Sequence, residues 1–351
     1  MSNLKIDFPE LVGYGDMMEY VKLGGSGLLV SPLCLGTMMF GSAATEEESI
    51  SITHRAIDDG INFIDTANGY NNGLSERILG KALEGRRNEI VLVTKVNAST
   101  GDGPNDGGLS RYHILNEVEN SLRRLKTDHI DIYMLHRRDF STPLEESLGA
   151  MNDLVRQGKV RYIGMSNHYS WQVRGALDQA KYEGISPVVC VQDLYNIVNR
   201  DLEVDMLPFC HDFGVGVMAY SPLARGILTG KYRLGEDLPT DSRAGRGDRR
   251  ILETELRDGS ITVAQELAKL SEGMGKKMSQ FALNWVISNP IVTSAIIGPR
   301  SLGQYEDNIG ALGWEIEPSI LSKVDVLVPP GEHTGYGFND PQNPVRGRPG
   351  R

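Results

Sequence analysis

The sequence predicts an α/β fold, a (β/α)8 barrel with an amino-terminal β-hairpin and long loops on its C-terminal face. Three observations carry this expectation. Eight short apolar runs recur along the chain with helix-like stretches between them. The runs are apolar almost throughout rather than alternating, the pattern of parallel strands covered on both faces. The stretches between them repeat apolar residues at helical spacing, a stripe suited to lie on a sheet, and eight such units close most simply into a barrel.

The elements follow in order. Residues 20–23 and 28–30 flank Gly24-Gly25-Ser26-Gly27, where glycines permit the positive φ of a tight hairpin, a candidate lid over one end of the core. Leu33-Cys34-Leu35-Gly36 is the first core strand. Residues 46–59 form a helix with acids in its first turn, favourable against the helix dipole, and Gly60 closes it. The next strand ends at Asp65 and precedes a helix from Ser75 with Ile78, Leu79, Ala82 and Leu83 on one face. Residues 90–94 deliver Lys95, before a helix carrying Leu115, Val118, Leu122 and Leu125. Residues 130–135 deliver His136, before a helix carrying Leu148, Met151 and Val155 that Gly158 closes. Four further strands end in Ser166-Asn167, in Gln192, in Tyr220-Ser221 and in Gly298. Residues 223–262, rich in Gly and Arg, exceed ordinary loop length and are expected to form a mobile flap with a little local helix. The Pro- and Gly-rich residues 329–351 are expected to lack regular structure, while still able to drape over a pocket. The expected organisation is an extension at 1–19, a barrel at 20–328 and a tail at 329–351.

Composition narrows the function classes. The 351 residues are 40% hydrophobic and 23% charged, ample for one barrel-sized core. A net charge of −10 and a pI near 5.3 argue against nucleic acid or an anionic membrane as partner. Cys34, Cys190 and Cys210 lie far apart and lack metal-ligand spacing, so buried reduced thiols and no metal site are expected. No run has the length of a signal core or a membrane span, which points to a cytoplasmic protein.

Reactive groups in parallel barrels collect at the carboxyl ends of the strands. Asp65, Lys95, His136, Asn167, Gln192 and Tyr220 all occupy that position. Each alone has a plain structural explanation, as a loop cap, a strand-end cation or a hydrogen-bonded core residue. Together they make an acid–base cluster. A buried lysine needs an anion, which Asp65 supplies, and a cation roughly 4 Å from Tyr70 would lower its phenol pKa by on the order of one to a few units. Tyr70 could then donate a proton while His136 holds a carbonyl oxygen toward it. A bound cofactor must supply hydride, for which Tyr220 can stack on a nicotinamide and Ser166, Asn167 and Gln192 can bond its carboxamide. Gly298-Pro299-Arg300-Ser301 opens a helix whose amino end and arginine suit a ribose phosphate. No Gly-x-Gly-x-x-Gly follows the first strand, so a Rossmann site has no support.

Over about residues 20–328 these features resemble the aldo-keto reductases. Phe63-Ile64-Asp65-Thr66-Ala67-Asn68-Gly69-Tyr70 is similar to the family's first signature, and Ser121-Leu122-Arg123-Arg124-Leu125 with Asp131-Ile132-Tyr133-Met134-Leu135-His136 to its second. Residues 158–167 and Tyr220-Ser221-Pro222-Leu223-Ala224-Arg225-Gly226 match as well. The resemblance implies Tyr70 as general acid, Lys95 and Asp65 as its tuning pair, and His136 as the group that orients the carbonyl. It implies a nicotinamide held by Ser166, Asn167, Gln192 and Tyr220, with Ser221, Leu223, Gly226 and Lys231 along the pyrophosphate and Gln304 and Asn308 at the adenine. The Gly298-Pro299-Arg300 turn is most similar to the branch of potassium-channel beta subunits and bacterial general reductases. Where other branches carry a Lys-Ser phosphate pair this chain has Gly298-Pro299, leaving Arg300, which implies NADPH as cofactor with NADH as the alternative.

The expected function is NADPH-dependent reduction of an aldehyde or ketone, with a small carbonyl compound as partner. The alternative is a cofactor-sensing binding subunit with little turnover. A third reading, an aldolase using Lys95 as a Schiff base, leaves Tyr220, Gln192 and Arg300 without a task. Arg137-Arg138 could favour an anionic substrate or pair with Asp139, and the pairing is the expected arrangement.

Overall fold

The structure, a computed structural model, describes residues 12–13, 18–335, 340 and 342. Most of the expected extension and much of the tail lie outside the described residues. Strands β1 (Val12–Gly13), β2 (Glu19–Lys22) and β3 (Leu29–Val30) pair antiparallel. The barrel strands are β4 (Leu33–Gly36), β5 (Phe63–Asp65), β6 (Val91–Val96), β7 (Ile130–Leu135), β8 (Val160–Ser166), β9 (Val188–Leu194), β10 (Gly216–Tyr220) and β11 (Ser294–Ile297). They close in chain order, β11 returning to β4 in parallel register with Ala295 opposite Leu33. The expected barrel is the observed one.

Helices α1 (Glu46–Asp58), α2 (Leu74–Ala82), α3 (Arg111–Leu125), α4 (Leu144–Arg156), α5 (Ser170–Glu183) and α6 (Met206–Phe213) link successive strands up to β10. Helix α1 begins where Thr45 accepts from the Glu48 N–H at 3.2 Å and the Glu48 carboxylate accepts from the Thr45 N–H at 3.1 Å. That reciprocal cap satisfies two donors that a helix start leaves orphaned. Between β10 and β11 run α7 (Arg249–Thr254), α8 (Asp258–Gly273) and α9 (Met278–Ile287), and α10 (Leu302–Ile309) and α11 (Pro318–Leu327) follow β11. The span expected as a flap is therefore partly regular. A 3-10 turn covers Ala224–Thr229, Asp248 caps α7 through the N–H groups of Arg250 and Ile251, and α8 already starts at Asp258.

Contacts divide the chain into two compact units. The first holds residues 1–193, 206–218 and 290–306, and the second holds 194–205, 219–289 and 307–351. In the first, Leu23, Val30, Cys34, Phe63, Ile132 and Met218 share one buried core. The β2–β3 hairpin closes the amino end of the strands. Gly24 turns with φ +56°, and a Cβ there would stand 2.4 Å from the Gly216 nitrogen at the start of β10, so only glycine fits this close approach. Leu23 is thereby driven into the core, worth about 1.5–3 kcal/mol. In the second unit, Arg200 bonds Glu203, Asp325 and the Val328 carbonyl, and Trp285 packs 5.3 Å from Tyr195. The start of the tail is tied down there as well. Thr334 N–H donates to the Val198 carbonyl, and Arg250 holds Asp340 through two nitrogens at 2.7 and 2.8 Å. Cys34, Cys190 and Cys210 are buried, with no disulfide between them. No helix among the described residues is long and apolar enough to cross a membrane.

Candidate active site

The carboxyl ends of β5 and β6 place an acid and an ammonium side by side, because Asp65 closes its strand in register with Val93, two residues before Lys95. Lys95 is fully buried and commits all three ammonium hydrogens. It donates to Asp65 Oδ2 at 2.7 Å, to the Thr66 carbonyl at 2.8 Å and to the Tyr70 hydroxyl at 3.2 Å. Burial disfavours the charge of Lys95, yet the Asp65 carboxylate and the Tyr70 oxygen outweigh it and its pKa ends raised. The second Asp65 oxygen accepts from Gln192 Nε2 at 2.8 Å. With that nitrogen committed, the Gln192 amide oxygen has no hydrogen bond among the described residues.

Tyr70 behaves differently from expectation. Burial of its hydroxyl is the largest influence and pushes the phenol up, against the opposing charge of Lys95 and with that of Asp65. The net direction is upward, not the lowering that a cation alone would give, because the same burial that brings Lys95 close removes water from the phenolate. Tyr70 thus holds its proton at neutral pH. Its loop is set by backbone strain and one amide: Asn71 lies at φ 48° and Asn72 at φ 53°, and Asn71 Nδ2 reaches the Met38 and Phe40 carbonyls at 3.2 and 2.7 Å. Asn tolerates this left-handed region better than most side chains.

His136 follows β7, and its ring meets the Tyr70 ring edge-on with centroids 5.8 Å apart. Burial, Lys95 and Arg137 hold its pKa well below the usual imidazole value, so it is a neutral donor. The structure therefore brings Asp65, Tyr70, Lys95 and His136 together.

Ser166, Asn167 and Gln192 also converge. The Ser166 hydroxyl donates to the Gln192 carbonyl at 2.7 Å, and Asn167 Nδ2 donates to Ser166 Oγ at 2.8 Å and to the His136 carbonyl at 3.0 Å. Asn167 sits at φ 58°, held by its N–H donating to Asp193 Oδ1 at 2.8 Å. Asp193 escaped the sequence reading. It is buried, its other oxygen has no partner among the described residues, and burial pushes it up to about 7 despite the Asn167 N–H and Arg138. Its signal was weak, an acid next to Gln192 inside an apolar strand. His168 is buried nearby and held down to about 4 by burial, its Nδ1 2.8 Å from the Ser166 carbonyl.

The remaining sequence candidates are divided between the two units. Gly298, Arg300 and Gln304 stand after β11, where the Arg300 N–H donates to Gln304 Oε1 at 3.0 Å. In the second unit, Ser221 takes φ 53° and its carbonyl accepts from Asn196 Nδ2 at 3.0 Å. Leu223 opens the 3-10 turn, Gly226 bends it at φ +107°, and the Lys231 ammonium lies 5.6 Å from the Tyr232 ring centre. Tyr220 ends β10 and Asn308 is buried near the end of α10. The expected pairing of Arg137-Arg138 with Asp139 does not form. Asp139 accepts instead from the N–H groups of Leu109 and Ser141 and the hydroxyls of Ser141 and Thr142, all but the first supplied by its own turn. Among the described residues no group of three or more His, Cys, Asp or Glu could hold a metal ion.

Residues 32–328 match the aldo/keto reductase family. The chain belongs to that family. It is 40% identical over 333 residues, 92% of its length and 99% of the relative's, to an uncharacterized oxidoreductase, YrpG, of Bacillus subtilis. It is 37% identical to a probable voltage-gated potassium channel subunit beta of Arabidopsis thaliana, covering 89% of this chain and 97% of that one. It is 34% identical to the versiconal hemiacetal acetate reductase of Aspergillus parasiticus, covering 91% and 99%. As an aldo/keto reductase with oxidoreductase relatives, the chain has a barrel end whose acid, ammonium, phenol and imidazole already touch.

Proposed function

We propose that this aldo/keto reductase reduces an aldehyde or ketone to the alcohol with NADPH, Tyr70 acting as general acid. The observation that carries the reading is the Lys95 ammonium, which faces Asp65 on one side and the Tyr70 hydroxyl on the other. When bound, the nicotinamide supplies hydride to the carbonyl carbon. Tyr70 gives its proton to the carbonyl oxygen, and the Lys95 N–H stabilises the phenolate left behind. Asp65 keeps Lys95 charged, and the neutral His136 ring donates to the same carbonyl oxygen and fixes its direction.

The donor set fits a nicotinamide. The open amide oxygen of Gln192 is an acceptor for the carboxamide NH2, and Ser166 and Asn167 stand beside it. Tyr220 is assigned to stacking on the ring, Ser221, Leu223, Gly226 and Lys231 to the pyrophosphate, Gly298 and Arg300 to the ribose phosphate, and Gln304 and Asn308 to the adenine. Arg300 favours NADPH over NADH. The test follows NADPH absorbance with a panel of sugar, aromatic and short aliphatic carbonyls. Tyr70→Phe is expected to lower kcat by about 10²- to 10⁴-fold while NADPH still binds; unchanged turnover would remove Tyr70 as the acid.

The similarity to channel beta subunits supports a second reading, a cofactor-sensing subunit with slow turnover. Rapid steady-state reduction of a small carbonyl compound by the isolated chain would exclude it.

A further inference from the structure

Two arginines follow His136, and neither makes an ion pair among the described residues. Their situations differ. The Arg138 guanidinium is covered by aromatic rings, 4.0 Å from the centre of Tyr169 and 5.8 Å from that of Phe140. Tyr169 in turn stacks on the exposed Trp171 at 6.0 Å. Arg137 is half-buried and makes no hydrogen bond, ion pair or ring contact among the described residues. Asp139, the neighbouring acid, is saturated by three donors of its own turn and by the Leu109 N–H from the segment before α3.

A half-buried cation without a counter-ion is unfavourable unless something else supplies the anion. Arg137 directly follows the imidazole that faces Tyr70, and its positive charge is felt at both the Tyr70 hydroxyl and the His136 ring. The net charge of −10 repels anions at long range, so an anionic ligand would have to be held by a local cation such as this one.

We propose that Arg137 binds an anionic group, a carboxylate or a phosphate, carried by the carbonyl substrate. This rests on the reductase reading and narrows its substrate class to carbonyl compounds with an acidic substituent. A guanidinium presents paired N–H groups to either oxyanion, which suits a carboxylate or a phosphate equally.

The experiment compares kcat/KM with NADPH for matched pairs: succinic semialdehyde against butanal, 2-carboxybenzaldehyde against benzaldehyde, and glyceraldehyde 3-phosphate against glyceraldehyde. The anionic member is expected to be preferred in the wild type, and the pair that shows the larger ratio separates carboxylate from phosphate. Arg137→Met should shrink that ratio by about 10- to 100-fold, with Arg137→Lys recovering part of it. Equal use of both members by the wild type, or an equal fall for both in Arg137→Met, overturns the proposal while leaving the reductase reading standing. If no carbonyl is reduced, the reductase reading fails instead, and the anion site is read without turnover. Succinate or inorganic phosphate should then raise the Tm of the wild type and not of Arg137→Met; no rise in the wild type overturns the proposal.

Discussion

Strand β7 carries a charged or polar group at each of its ends, and the two ends are built on opposite terms. At the amino end, buried Asp131 accepts from Arg87 at 2.7 Å, from Arg161 at 2.7 Å and from the Leu92 N–H at 2.9 Å. Two cations answer one acid, and Arg161 runs out to solvent with 56% of its side chain exposed. At the carboxyl end, His136 joins Tyr70 and a Lys95–Asp65 pair in which the cation is fully buried and its last hydrogen goes to a phenol. The first arrangement neutralises a charge and stops there. The second leaves a titratable hydroxyl at the end of the chain of bonds, which is what chemistry requires and stability does not.

The largest expected effect separates the two ends. Lys95→Met should abolish nearly all carbonyl reduction and also destabilise the fold by about 3–5 kcal/mol, because Asp65 is left buried without its cation. Kinetics and urea melts on one preparation measure both, and a variant that melts like wild type would break the account of the pair. The next test uses protonation. His168, held near 4, loses stability as pH falls from 6.5, because the unfolded chain takes up that proton first. Asp193, raised to about 7, does the reverse: its contribution is present below the unfolded value of 3.8 and lost as pH rises through 7. Between pH 4 and 6.5 the two nearly cancel. Asp193→Asn removes one arm, so relative to wild type the variant should lose on the order of 3 kcal/mol between pH 6.5 and 4.

Asp131→Ala sharpens the contrast from the other side. Melts should show a loss of about 2–3 kcal/mol, less than for Lys95 because Arg161 reaches water, while kcat per folded molecule stays at the wild-type value. The smallest effect belongs to Asn71→Ala. Losing the bonds to Met38 and Phe40 and straining a residue at positive φ should cost about 1 kcal/mol and lower kcat several-fold through misplacement of Tyr70.

The barrel was legible because each strand is an apolar run that breaks abruptly into a polar residue, and the pairing of Asp65 with Lys95 followed from the need of a buried ammonium for an anion. Other features depend on backbone details that periodicity does not encode. Asn71 acts through a left-handed turn, Asp193 through the unusual φ of Asn167, and Gln192 through the register that puts its amide against Asp65. The neighbours Arg137, Arg138 and Asp139 are adjacent in sequence, yet their side chains diverge because the turn offers Asp139 nearer donors. The upward direction at Tyr70 is hidden for a related reason, since sequence reveals the neighbouring charge but not how much water is lost with it.

One property of Lys95 reaches further than its pairing. A nitrogen that gives all its hydrogens to Asp65, Thr66 and Tyr70, with its pKa raised, has no lone pair to offer a carbonyl carbon. It cannot serve as a nucleophile, and imine formation is closed to it. Borohydride added with an aldehyde should therefore leave the mass of Lys95 unchanged.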